Sequence, residues 1–131
     1  MKRIIVMAVL SASTLSGCGT MGYMMGTYGA TSDAVRSDFD YQDSTYRIFD
    51  RKDLSKVMIT SSLGDAALHG AARGATFGGV NIDDDQTRFS SATSAYLVKD
   101  RPMQSCKVLD GKLLMTPQWE FVYLCADKLK S

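Results

Sequence analysis

A single histidine, a single glutamate and two groups of aspartates hold most of the acid–base chemistry open to this chain of 131 residues. His69 lies close in sequence to Ser61, Ser62 and Asp65, the residue types of a nucleophilic relay in which imidazole takes the hydroxyl proton and a carboxylate orients the ring. No Gly-x-Ser-x-Gly elbow accompanies them, and a histidine in a glycine-rich run is expected to be exposed or packed. Asp38, Asp40 and Asp43, and separately Asp83, Asp84 and Asp85, carry the oxygen chemistry of a calcium site. An EF-hand loop beginning at Asp38 would need glycine sixth and glutamate twelfth; Asp43 and Phe49 stand there instead. Capping, turn formation and solvation are the simpler roles for both groups. Glu120, beside Trp119, is either buried with a raised pKa or paired with a lysine or arginine across a sheet, the simpler expectation. Glycoside hydrolysis takes two placed carboxylates in a cleft, which a chain of this size hardly provides. Phosphate loops, dinucleotide fingerprints and metal-ligand spacings do not occur. Hence no catalytic residue, no metal and no cofactor is expected.

The elements that must position these residues are short. Thr45–Asp50 and Lys56–Ser62 alternate as strands, with Tyr46 and Ile48 sharing one face and Val57 and Ile59 another. Residues 63–78 have helical composition weakened by glycine, with Ser62 as a candidate N-cap. Within that run Ala66, Gly70, Gly74 and Gly78 form a small-residue stripe suited to close helix packing. A second helix is expected from Asp84 or Asp85 to Lys99, burying Phe89, Ala92 and Tyr96 and stopped by Asp100-Arg101-Pro102. Residues 106–114 and 119–125 then read as a hairpin turning near Met115 and Thr116. That turn sets Cys106 opposite Cys125 and puts Trp119, Phe121, Tyr123 and Cys125 on one face. Asp110-Gly111 marks either a bulge or an earlier turn. The resulting order, β-β-α-α-β-β, describes a small α+β domain: an antiparallel sheet of about four strands with two helices on one face.

The chain opens with Lys2 and Arg3, an uninterrupted apolar run from Ile4 to Leu10, and small or polar residues up to Cys18. This is the layout of a secretory signal, and it is too short for a spanning helix of about 20 residues. Leu15-Ser16-Gly17-Cys18 resembles the lipobox of bacterial lipoproteins. The resemblance covers only these first residues. It implies cleavage before Cys18, a diacylglyceryl thioether on that cysteine and a further acyl chain on its new amino group. Two or more chains anchor stably where one does not. Gly19, in place of the aspartate that retains such proteins in the inner membrane, implies the periplasmic face of the outer membrane. On this reading residues 1–17 are signal peptide and 18–44 a flexible, glycine-broken tether, followed by a single domain over 45–131. The tether's Met and Tyr residues could face the bilayer, a partner or the domain itself.

Export also bears on the cysteines. Once Cys18 is acylated, Cys106 and Cys125 remain as an even pair, expected to form a disulfide; free thiols and a metal pair are the competing readings. Loss of Lys2 and Arg3 lowers the basic count from 15 to 13 against 14 acidic residues, a formal charge of −1. No basic excess marks a nucleic-acid surface, so nucleic acid is not an expected partner. The expected role is a non-enzymatic envelope lipoprotein, held at the membrane through Cys18, that binds or scaffolds another envelope component. The alternative is a lipid-tethered inhibitor or exclusion factor against a hydrolase, a phage or a conjugation apparatus.

Overall fold

Alternating side chains build one sheet with two unlike faces. The computed structural model describes residues 16–62 and 82–129. Its elements are helix α1 (Ser16–Tyr28), strands β1 (Val35–Tyr41), β2 (Ser44–Arg51) and β3 (Lys56–Ser61), helix α2 (Ile82–Asp100), and strands β4 (Gln104–Met115) and β5 (Gln118–Asp127). The five strands form one antiparallel sheet in the order β1-β2-β3-β5-β4. The α+β class and antiparallel sheet are as expected, and β2 to β5 are the four strands read from sequence.

One face is apolar and aromatic. Tyr46 and Ile48 of β2, Val57 and Ile59 of β3, and Trp119, Phe121 and Tyr123 of β5 meet Phe89, Ala92, Tyr96 and Leu97 of α2. Burying each of these larger side chains is worth about 1.5–3 kcal/mol, and the shared face follows from the period-two strand pattern. The expected stripe of Phe89, Ala92 and Tyr96 is the buried one. Cys106 and Cys125 face each other in register and are disulfide-bonded. Closing a loop of about 20 residues stabilises by roughly 3 kcal/mol in the chain-entropy account. Asp110-Gly111 belongs to a bulge, since the β4–β5 register shifts between Val108 and Asp110. Gly111 is required there because a Cβ would run into the Phe121 ring.

The opposite face is smaller and carries α1, whose Met24 and Tyr28 are buried with Met58 against Phe49 and Leu114. Of the two helices expected on one face, the later one, α2, covers the aromatic face, while α1, on the other face, comes from a segment not read as helical. The helix expected within 63–78, with Ala66, Gly70, Gly74 and Gly78, lies outside the described residues, as does His69.

The segment 18–44, expected as a flexible tether, instead carries most of α1 and all of β1. Gly19, Gly22 and Gly26 each cost a helix about 1 kcal/mol, which is why local composition reads as coil. They stand on the open side of α1, where an added Cβ would meet nothing within 4 Å. Met24 and Tyr28 on the other side supply burial that offsets that cost. β1 escapes notice for a different reason. It is an edge strand needing one buried anchor, Phe39, while Arg36, Asp38 and Asp40 stay exposed, as suits an edge that must not recruit further strands. The turn joining it to β2 uses Gln42 and Asp43 at φ 48° and 62°, where asparagine and glycine are the usual signals.

Candidate functional site

Glu120 gathers the most polar chemistry on the α1 side of the sheet. It sits in β5 between Trp119 and Phe121, so strand alternation turns it away from the aromatic core, opposite Lys112 of β4 and Met58 of β3. Helix α1 then closes over it, leaving the residue 2% exposed. Tyr23 and Tyr28 donate their hydroxyls to Oε2 at 2.6 and 2.7 Å. Lys112 and Lys56 hold Oε1 at 3.2 and 3.8 Å. Lys56 also donates to the Tyr23 hydroxyl at 3.2 Å, and both ammonium groups lie over the Tyr23 ring, at 4.9 Å for Lys112 and 5.8 Å for Lys56. Burial pushes the Glu120 carboxyl up, but the hydrogen bonds from Tyr23, Tyr28 and Lys112 outweigh it and hold the group below the ordinary carboxylate range. Burial and the Glu120 carboxylate together push the Tyr28 phenol well above its ordinary value. At the far end of α1, Arg51 donates to the Thr27 carbonyl at 2.7 Å and so satisfies one of the open carbonyls of the last turn.

Asp50 organises the other side. It lies inward on β2, one step along the Tyr46–Ile48 face, and is fully buried. Tyr123 donates to Oδ1 at 2.9 Å, while Tyr96 and Arg101 donate to Oδ2 at 3.2 and 2.7 Å. Burial, reinforced by the Asp50 charge, pushes the Tyr96 phenol up to about 12. Burial and the hydrogen bond to Asp50 push Tyr123 up as well.

Both carboxylates are bound by phenols and cations, and a carboxylate held this way fixes the side chains around it. Of the two readings of Glu120, cross-strand pairing is the one found, and a raised pKa is not.

The remaining sequence candidates are scattered. Asp38 pairs with Arg47 across the β1–β2 hairpin, and Asp40 accepts from the Thr45 hydroxyl. Asp43 is a turn residue. Asp83, Asp84 and Asp85 fall at the start of α2, and Asp85 pairs with Arg88. No group of three His, Cys, Asp or Glu suited to a metal occurs among the described residues. Ser61 is buried at the end of β3, and Asp65, like His69, lies outside the described residues. Cys18 falls within the first turns of α1, and no described helix is long and apolar enough to cross a membrane.

Sequence reading overlooked Tyr23, Tyr28, Asp50 and Arg101. For Asp50 a signal existed: the alternation Tyr46–Ile48–Asp50 places a charge on the core side of a strand, where it must find partners. For Tyr23 and Tyr28 the five-residue spacing across a glycine-rich run carries no periodic signal without the sheet beneath it. Compared with known proteins, the chain matches no family model, no curated protein and no solved structure.

Proposed function

We propose that this chain is an envelope lipoprotein, acylated at Cys18 and held at the periplasmic face of a bacterial outer membrane, whose domain binds or scaffolds another envelope component without catalysing a reaction. The observation that carries this is Leu15-Ser16-Gly17-Cys18 at the end of a basic and apolar leader. Two features of the fold support it. The buried carboxylates Glu120 and Asp50 are committed to holding α1, α2 and the strands together. In addition, the edge strand β4 exposes Leu109, Leu113 and Met115, apolar surface of the kind a partner covers. The Cys106–Cys125 disulfide suits an oxidising compartment.

Mass spectrometry of the amino-terminal peptide tests the anchor. Cys18 is expected to be the first residue and to carry a diacylglyceryl group, and Cys18→Ser is expected to release the protein from membranes. An unmodified Cys18, or full membrane retention of the serine variant, overturns the anchor. Cross-linking in intact cells, followed by recovery in mild detergent, tests the binding role. One stoichiometric envelope partner supports it, and a preparation containing this chain alone overturns it.

A further inference from the structure

Helix α1 leaves no leash between the proposed lipid site and the folded domain. Cys18 is itself a residue of α1, and the docked residues Tyr23, Met24 and Tyr28 follow within three turns. At about 1.5 Å per residue, the helix puts Met21 roughly 5 Å along its axis from Cys18. Acyl chains on Cys18 therefore bring α1 itself to the bilayer surface. The helix carries no charged side chain in its 13 residues, which is unusual for a helix with one side in water. Its sheet side is used by Met24 and Tyr28. Its open side presents Met21 and Met25, 48% and 62% exposed, among Gly19, Gly22 and Gly26. Beside this strip stand Lys56 and Lys112, the first partly and the second mostly exposed, which share the one carboxylate of Glu120. Two cations against one anion leave a net positive charge flanking the apolar strip.

We infer that the open side of α1, Met21 and Met25 with the glycines between them, lies on an anionic bilayer interface, with Lys56 and Lys112 facing lipid phosphates, so that the domain rests flat on the membrane. This rests on the acylation of Cys18 proposed above. Flat glycines let the helix backbone come close to the headgroup boundary, methionines enter the acyl edge, and flanking cations add attraction to anionic lipid. Tyr23, with its ring under both ammonium groups, stands between sheet and surface, as interfacial aromatics do.

The test uses the acylated full-length protein reconstituted in vesicles of phosphatidylethanolamine and phosphatidylglycerol, labelled with bimane at Met25→Cys. A second preparation carries the label at Asp43→Cys, in the β1–β2 turn, as a reference. Lipids bearing a spin label high on the acyl chain are expected to quench the Met25 probe several-fold more than the Asp43 probe. Raised salt is expected to reduce the difference. Equal, weak quenching at both sites in protein that mass spectrometry shows to be acylated overturns the inference and leaves the anchor standing. A blue-shifted Met25 probe that lipid does not quench means that another copy or another protein covers the strip, which also overturns it. Protein lacking the lipid on Cys18 and failing to bind vesicles overturns the anchor and this inference together.

Discussion

The two carboxylates buried among the described residues accept similar partners yet hold different things in place. Asp50 and Glu120 each take two tyrosine hydroxyls and at least one cation. The partners of Asp50 come from α2, the segment after it and β5, so that cluster ties the ends of the aromatic core to one another. Arg101 is central to it, donating also to the Tyr123 hydroxyl at 2.9 Å, while Asp100 receives Lys52 at 3.0 Å at the same corner. The tyrosine partners of Glu120 both come from α1, a single element at one end of the chain. Cutting the first cluster strikes the whole sheet, whereas cutting the second frees one helix. A buried charge serves cooperativity or docking according to how many elements supply its partners.

The largest effect should come from Arg101→Met, which leaves the Asp50 carboxylate buried without its cation. Breaking a buried pair from one side costs about 3–5 kcal/mol, and urea unfolding should show a single transition displaced by that amount. If α2 alone loosened while the sheet stayed as stable, the cooperative role assigned to Asp50 would fail. A smaller and local effect is expected for Glu120→Gln, which keeps an oxygen for the tyrosines but removes the charge. Hydrogen bonds to a charged group are worth about 1.5–3 kcal/mol. The loss should appear as faster amide exchange in α1, with α2 and β5 unchanged. Uniform acceleration throughout the chain would erase the contrast between the two clusters.

Acid and alkali sharpen the same comparison with the smallest shifts. Because the folded-state pKa of Glu120 lies below the ordinary 4.5, its contribution is complete above that pH and is lost as pH falls through the lower folded value. Amide protection in α1, taken relative to the intrinsic exchange rate at each pH, should therefore fall in acid in the wild type and stay level over the same range in Glu120→Gln. Tyr96 behaves in the opposite sense. Its phenol is held neutral up to about 12, so its contribution is present below pH 10 and fades as pH rises towards 12. Absorbance at the tyrosinate band should show Tyr96 titrating well after an ordinary phenol, and Tyr96→Phe should reduce the late component by one phenol, leaving that of Tyr28 and Tyr123.

How much of this was legible in sequence depends on where the stabilising partner of each element lies. Strands β2 to β5 announced themselves because alternation is local: Tyr46 and Ile48, Val57 and Ile59, and Trp119, Phe121 and Tyr123 each select a face without reference to any other strand. The pairing of Cys106 with Cys125 was legible too, since a hairpin turning midway between them leaves little choice of register. Helix α2 followed from Phe89, Ala92 and Tyr96 at helical spacing. The contacts of α1 are not local in this sense. Tyr23 and Tyr28 meet Glu120 across 97 and 92 residues of chain, and no spacing along the sequence encodes such a meeting.

What the sequence by itself determined, then, is the antiparallel α+β sheet, its aromatic face and its disulfide hairpin, because each depends on periodicity or on spacing within a few tens of residues. Only the tertiary structure decided that residues 18–44 fold instead of trailing, that β1 edges the sheet, and that Glu120 is a docking point for α1. A helix with three glycines on one side has too little local stability to form by itself; it exists because the sheet buries Met24 and Tyr28 and presents a carboxylate that needs two hydroxyls.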